Sequence, residues 1–192
     1  MKQFFKPAVK GTYGYITKKR TQVLIMTLIM FAVSAALFIA GYVTTGSNQN
    51  LLTIVAVLGC LPASKSLVSF IMYFKASGCS ENAKKRIFPA EGELIGMYDM
   101  YFTSYKMNFP ISHMVVEGKN ICGVTEKSCD TKACEVHLET LLKQSGYKDL
   151  TVKIFTDINK YIDRLGQLNN IDREKTTRRD DEIRTVLYDI SL

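Results

Sequence analysis

The sequence predicts a membrane-anchored α/β protein, with two transmembrane helices near the N-terminus followed by one small cytosolic α/β sandwich. Two long apolar runs lie between residues 23 and 74, and helical and strand patterns alternate after residue 90. All 18 acidic residues follow position 80. These observations divide the chain into a basic N-terminus (1–22), a helical hairpin (23–74), a connector (75–90) and a cytosolic domain (91–192).

The first apolar run, residues 23–43, contains no charged residue. A helix of this length covers about 30 Å, which is the thickness of the hydrocarbon core of a bilayer. The run shows no polar face and is longer than the apolar core of a cleaved signal peptide. We therefore expect a transmembrane helix rather than a buried helix or a signal sequence.

The second apolar run, residues 51–74, follows the short, polar and uncharged segment 44–50, which predicts an antiparallel hairpin. Basic residues flank the outer ends of both helices, and the connecting segment has none. By the positive-inside rule, both termini and the main domain face the cytosol, as in a two-pass protein of a bacterial inner membrane. The basic residues expected at the membrane surface are Lys18, Lys19 and Arg20.

Lys65 lies inside the second apolar run, where a charge is costly. Its ammonium group either snorkels towards the cytosolic surface, helped by a bend at Pro62, or meets a buried partner or a lipid headgroup. The N-terminal aromatic residues, interspersed with basic ones, fit either a membrane interface or a frayed polar end. These residues are Phe4, Phe5, Tyr13 and Tyr15.

The formal net charge of +7 does not indicate a nucleic-acid-binding surface. The basic excess lies within residues 1–65, and the chain from Lys75 onwards is neutral. Basic residues beside a membrane segment indicate contact with anionic lipid. We therefore expect the lipid bilayer to be a partner and nucleic acid not to be one.

The cysteines indicate reduced thiols and no metal site. Four of the five follow the second apolar run, on the side assigned to the cytosol. Cys129, Cys134 and His137 have a C-x4-C-x2-H spacing, but zinc needs a fourth ligand. Only a coincidence of the fold could supply His113 or Cys122 as that ligand. We expect both histidines to be structural and Cys134 to pack on a helix.

The cytosolic domain is predicted to run helix, strand, strand, helix, strand, helix. The first helix covers residues 91–107, where apolar residues follow a helical spacing. Strands at 111–116 and 121–125 form a hairpin around a glycine turn. The remaining elements are a helix capped by Ser128 or Asp130 and stopped by Gly146, a strand at 150–155, a helix capped by Asp157, and a last apolar element at 183–192.

The stretch from residue 92 to residue 155 resembles the nuclease-related domain family, which has a restriction-endonuclease-like core. Gly92 and Glu93 match the Gly-Glu pair that opens that family's first helix. Residues 112–116 match a strand beginning Asp-His, with Ser112 in place of the aspartate. Residues 122–127 match a strand ending Glu-x-Lys.

The resemblance departs from the family where chemistry would occur. Thr125 stands at the Glu position of Glu-x-Lys, with Lys127 at the Lys position. Strand side chains alternate between faces, so adjacent Glu126 and Lys127 point in opposite directions. Glu117 and Lys119 have the right spacing but fall in the turn. The resemblance thus implies a degenerate member that lacks both expected carboxylates.

These patterns predict a non-catalytic binding or scaffold module that has a protein partner or forms a homo-oligomer, without a cofactor. One alternative is a Mg²⁺-dependent nuclease using Glu93, Glu117, Lys119, Glu126 and Lys127. Another is lipid or small-ligand handling at the hairpin around Lys65. Convergence of the carboxylates in one cleft with a lysine would favour the nuclease. The carboxylates to compare are Glu93, Asp99, Glu117 and Glu126.

Overall fold

The computed structural model describes residues 7–170 and 178–192, and the chain forms two compact units. The hairpin unit contains Thr17–Lys75, and the sheet unit contains Ala8–Ile16 and Ala76–Leu192. Phe4 and Phe5, which we considered for a membrane interface, lie outside the described residues. Part of the charged segment before the last element also lies outside them.

Among the described residues, the hairpin unit contains all but the first two residues of helix α1 (Tyr15–Thr45) and the whole of helix α2 (Leu51–Lys75). Both are long and apolar enough to cross a membrane, as the sequence predicts. Only 11% of the most apolar window of each helix is buried. Large apolar side chains such as Val43, Leu51 and Leu61 point outwards and are at least 68% exposed. The core helix of a water-soluble protein would bury these side chains.

Small and hydroxyl-bearing residues form the seam between α1 and α2. The Oγ1 atom of Thr27 lies 2.7 Å from the Oγ atom of Ser66. Seven residues further along α1, Ser34 packs so closely on Gly59 that a Cβ atom there would lie 2.7 Å from its Oγ atom. Contacts that recur every seven residues, in opposite directions along the two helices, define one antiparallel register. Small residues at such a seam allow close approach of the two backbones.

The described residues of the sheet unit form four helices and a mixed four-stranded sheet. The sheet has the order β1-β2-β3-β4; β2 is antiparallel to β1 and β3, and β4 is parallel to β3. In chain order the elements are α3 (Glu81–Glu91), β1 (Gly96–Thr103), β2 (Asn108–Glu117), β3 (Asn120–Val124), α4 (Thr131–Gln144), β4 (Thr151–Phe155), α5 (Ile158–Asn169) and α6 (Arg178–Ile190).

Helices cover both faces of the sheet, so the unit is an α/β sandwich. Leu138 of α4 and Ile183 of α6 are fully buried in one hydrophobic cluster with Phe102 of β1. Ile87 of α3 and Leu165 of α5 are fully buried in a second cluster on the other face. Strands β1, β2 and β3 are therefore buried on both sides, and their sequences are apolar without strict alternation, whereas β4 alternates between exposed and buried residues.

Several local signals act as the sequence predicts. Asp130 caps α4 by accepting a hydrogen bond from the backbone N–H of Ala133, and Asp157 caps α5 in the same manner. Gly118 lies in the hairpin turn and Gly146 follows α4, both with positive φ. The fold class, two long apolar helices followed by a small α/β unit, is thus confirmed.

The predicted helix over residues 91–107 is wrong, because this segment contains strand β1. Six consecutive residues of β1 are buried, so its apolar residues occur at helical as well as strand spacings. The preceding helix, α3, instead lies in the predicted connector 75–90. Ser80 caps α3 by accepting a hydrogen bond from the backbone N–H of Ala83. Because the segment after α3 forms β1, the sheet unit has three consecutive strands where the sequence predicts two.

The outer edge of β4 is protected by side chains of α4. The backbone N–H of Ile154 donates to Oε1 of Glu135 at 2.9 Å, and that of Val152 donates to Oε1 of Glu139 at 3.4 Å. An edge strand with unsatisfied N–H groups is a template for pairing with another chain. These glutamates occupy that edge and oppose strand addition.

Candidate functional site

The polar cluster at the centre of the sheet unit is built around His113, which lies on β2 and is fully buried. Its Nδ1 atom lies 2.8 Å from the hydroxyl of Tyr161, and its Nε2 atom lies 3.1 Å from Oε1 of Glu91. The second contact does not have the geometry of a hydrogen bond. Tyr98 donates a hydrogen bond from its hydroxyl to the same carboxylate oxygen.

Each member of this cluster comes from a different element. Glu91 ends α3, Tyr98 lies on β1 and Tyr161 lies on α5. Gly96 makes the arrangement possible, because a Cβ atom there would lie 2.3 Å from Nε2 of His113. The cluster therefore joins two strands to the two helices on one face of the sheet.

The electrostatics of the cluster stabilise the glutamate as a carboxylate. Burial raises the pKa of Glu91, but its contacts with His113 and Tyr98 and the charge of Lys84 outweigh this and lower the pKa overall. Burial raises the pKa of Tyr98 and Tyr161, and negative neighbours raise it further. Both hydroxyls therefore remain protonated and act as hydrogen-bond donors. The arrangement fixes the position of a buried histidine.

Asp99, next to this cluster on β1, acts as an acceptor for backbone groups. It is only 4% exposed and has a φ of 55°. Oδ1 accepts the N–H of Cys79 at 2.7 Å, and Oδ2 accepts that of Ile16 at 3.4 Å. Burial raises the pKa of Asp99, and these backbone hydrogen bonds oppose the rise. Gly78 permits the close approach, since a Cβ atom there would lie 2.7 Å from Oδ1.

Glu126, a candidate from sequence, likewise binds backbone. Its Oε2 atom accepts the N–H of Ser80 at 2.9 Å, and its Oε1 atom accepts the Ser80 hydroxyl at 2.5 Å. Asp99 and Glu126 thus bind the consecutive N–H groups of Cys79 and Ser80, which lead into α3. Of the four carboxylates compared for a nuclease site, Asp99 and Glu126 lie close together, but both accept hydrogen bonds from backbone groups at the start of α3.

The other nuclease candidates are distributed over the sheet unit. Glu117 ends β2 and Lys119 lies in the following turn, where its carbonyl accepts the N–H of Thr151. Glu126 and Lys127 follow the opposite end of β3, roughly 17 Å away for a strand of five residues. Glu93 lies between α3 and β1, and its N–H donates to Asn169. The five candidates do not form one site.

The candidate zinc ligands are not arranged as a metal centre. Cys134 is fully buried in the core, where burial raises the pKa of its thiol to about 12, whereas zinc binds the thiolate. The ring of His137 packs against Phe109, and burial raises the pKa of Cys129. Among residues 7–170 and 178–192, no three His, Cys, Asp or Glu side chains lie together as a possible metal site.

The basic residues assigned to the membrane surface lie on the hairpin unit. The Nε atom of Arg20 donates to the carbonyl of Tyr73 at 3.0 Å, and its guanidinium lies 5.7 Å from the ring centre of Phe74. Lys65 is exposed on α2. Lys19 lines a groove between α1 and α2, whereas Lys18 is exposed and does not line it.

Two basic and aromatic residues of the N-terminal segment belong to the sheet unit instead. The Nζ atom of Lys10 donates to the carbonyls of Tyr188 and Ser191, both at 2.8 Å, where α6 ends. Tyr13 packs edge-on against Tyr98. Lysine at a helix C-terminus satisfies carbonyl groups that have no partner within the helix.

Sequence reasoning missed three members of the buried cluster, namely Glu91, Tyr98 and Tyr161. The available signal was His113, because a histidine on a strand and followed by Met114 and Val115 is expected to be buried and to need polar partners. The identity of those partners depends on how helices pack on the sheet, which the local pattern does not contain.

The chain matches no protein-family model and no curated protein, and its fold matches no solved structure. The resemblance to the nuclease-related domain family therefore stays a prediction.

Proposed function

We propose that this chain is a two-pass membrane protein whose cytosolic sheet unit is a non-catalytic binding or scaffold module. Three features support insertion of the hairpin. Its large apolar side chains face outwards, its seam consists of small and hydroxyl-bearing residues, and its connecting segment is uncharged. Basic residues at the outer ends support a cytosolic location for both termini.

One observation carries the non-catalytic assignment: three carboxylates of the sheet unit, of which Asp99 is buried, Glu91 is half-buried and Glu126 is exposed, bind the protein's own groups. Asp99 and Glu126 accept backbone N–H groups, and Glu91 contacts His113 and Tyr98. A metal-dependent nuclease needs carboxylate oxygens that point together at Mg²⁺. Here the same oxygens fix loops and helices in place.

A groove beside α4 offers the sheet unit a surface for binding a protein partner. Tyr105 is fully exposed, and Val136 and Met107 are 63% and 42% exposed. Lys106 and Lys132 also line the groove. Exposed aromatic and apolar residues with basic neighbours suit a partner segment that carries apolar anchors and acidic residues.

The nuclease alternative is tested on the full chain in detergent by titration calorimetry with Mn²⁺, followed by a nuclease assay on the same sample. We expect no saturable Mn²⁺ binding at the sheet unit and no cleavage. The Glu126→Gln variant distinguishes a real site from surface binding. Binding and cleavage that both disappear in this variant would overturn the non-catalytic assignment.

A further inference from the structure

The groove on one side of the hairpin unit combines an apolar wall with polar groups. It has a volume of about 740 Å³, within the usual range of ligand sites. Val23, Met26 and Ile29 of α1 form the apolar wall. Ser66 and Ser69 line it from α2, and Lys19 lines it from the first turns of α1.

The polar groups of the groove follow its length. From Lys19 to Ile29 the groove extends roughly 15 Å along α1, from the basic end of the helix into its apolar part. Such a groove matches an amphiphile whose headgroup lies at the basic end and whose chain runs along the apolar wall. A small polar ligand would leave this wall without a partner.

Lys65 does not itself line the groove, but it adds a second positive charge on α2, directly before the lining residue Ser66. It precedes Ser69 by four residues, and residues four apart share one face of a helix. It lies eight residues before Tyr73, so about 12 Å further into the apolar part of the hairpin. A lysine at this depth needs an anionic partner or must reach towards the headgroups.

No second copy of the hairpin can supply that anion. The first acidic residue of the chain is Glu81, so the stretch from Met1 to Ser80 contains basic residues and no acidic ones. The counter-charge for Lys19 and Lys65 must come from outside the hairpin. In a bilayer, the abundant anion attached to an apolar chain is the phosphate of an anionic phospholipid.

We propose that this groove binds one anionic phospholipid, with its phosphate at Lys19, the side chain of Lys65 reaching towards that phosphate, and an acyl chain along Val23, Met26 and Ile29. The hydroxyls of Ser66 and Ser69 lie where they can donate to headgroup oxygens. The inference rests on insertion of the hairpin into the membrane, as proposed above. The bound lipid would cover the polar groups that line the groove between α1 and α2.

The test is native mass spectrometry of the full chain released from mixed nanodiscs of phosphatidylglycerol and phosphatidylcholine. We expect one retained phosphatidylglycerol in preference to phosphatidylcholine. Lys19→Gln and Lys65→Gln should each lower this retention several-fold. The matched control, Lys18→Gln, removes the same charge outside the groove and should change retention less than twofold.

A second variant, Ser69→Leu, keeps every charge but fills the groove, and it should also abolish the preference. Equal retention of both lipids, or an equal loss in Lys18→Gln, would contradict the site and indicate only diffuse surface charge. Alkaline carbonate extraction of the same membranes separates the two proposals. Release of the wild-type chain by carbonate would overturn insertion itself, whereas a retained chain without lipid preference would overturn the lipid site alone.

Discussion

The hairpin unit and the sheet unit are packed in opposite ways. In the hairpin, the buried residues are small or hydroxyl-bearing, such as Thr27, Ser34 and Ala63, and the large apolar residues face outwards. In the sheet unit, Phe102 and Leu138 are fully buried, and most charged residues lie on the outside, with Asp99 and Arg184 among the buried exceptions. The packing of the sheet unit suits water, and the packing of the hairpin unit suits lipid. Apolar burial drives folding in water, whereas close packing and hydrogen bonds hold helices together in lipid.

The largest test of this comparison concerns the core of the sheet unit. Phe102→Ala removes a fully buried ring and should lower the free energy of unfolding by about 3–5 kcal/mol. Tyr105→Ala, which removes a fully exposed ring, is the matched control and should leave it nearly unchanged. Urea unfolding of the full chain in detergent, followed by circular dichroism, measures both. Equal losses in the two variants would be inconsistent with this core.

The second test concerns the buried histidine cluster. Gly96→Ala places a Cβ atom against His113 and Glu91 and should cost about 1–3 kcal/mol of unfolding free energy. Gly166→Ala is the control, because a Cβ atom at that position in α5 meets nothing within 4 Å and alanine favours a helix. If thermal unfolding showed Gly96→Ala to be as stable as the wild type, the close packing around His113 would be wrong.

The third test is the pH dependence of stability due to the half-buried Glu91 and the buried Asp99, whose pKa values shift in opposite directions. Because the pKa of Glu91 is lowered from its ordinary value of 4.5, its stabilisation is present above that pH and is lost as pH falls through the lowered pKa. The stability difference between wild type and Glu91→Gln should therefore shrink in acid.

Asp99 provides the opposite case within the same protein. Its pKa is raised above 3.8, so the folded state holds the proton more tightly than the unfolded chain. Relative to Asp99→Asn, the wild type should therefore lose stability as pH rises through the interval above 3.8. Urea unfolding at a series of pH values measures both differences. Curves that change in the same direction for both variants would refute these electrostatic assignments.

The smallest effect is expected at the hairpin seam. Thr27→Val removes the hydrogen bond to Ser66, which in a membrane is worth about 0.6 kcal/mol. The register itself is tested by disulfide cross-linking in a variant that lacks the native cysteines. Thr27→Cys with Ser66→Cys should cross-link readily, and Thr27→Cys with Ser69→Cys should do so much less. Equal cross-linking of the two pairs would show that the seam has no fixed register.

The sequence predicted those elements whose signals are local. The apolar runs, the caps at Asp130 and Asp157, and the turn at Gly118 depend on nearby residues, and the structure confirms them. β1 was missed because a strand buried on both faces does not alternate. α3 was missed because its buried face consists mainly of Ala83 and Ile87, within a polar stretch.

The candidate site was harder to predict than the fold. The sequence suggested Asp99 and Glu126 as possible metal-binding carboxylates, because it does not show which backbone N–H groups donate hydrogen bonds to a carboxylate. Their partners, Cys79 and Ser80, are 20 and 46 residues away in the chain. Long-range pairing of this kind follows from tertiary packing, whereas the positive-inside pattern needs only the order of charges along the chain.

The measurement that tests the central claim most directly is the topology of the hairpin in intact cells. Single cysteines are placed at Ser47, between the two helices, and at Tyr105, in the sheet unit, in a full-length variant that lacks the native cysteines. A thiol reagent that does not cross membranes should label Ser47→Cys in intact cells and Tyr105→Cys only after lysis. Labelling of Tyr105→Cys in intact cells, or of both positions only after lysis, would contradict a membrane hairpin with a cytosolic sheet unit.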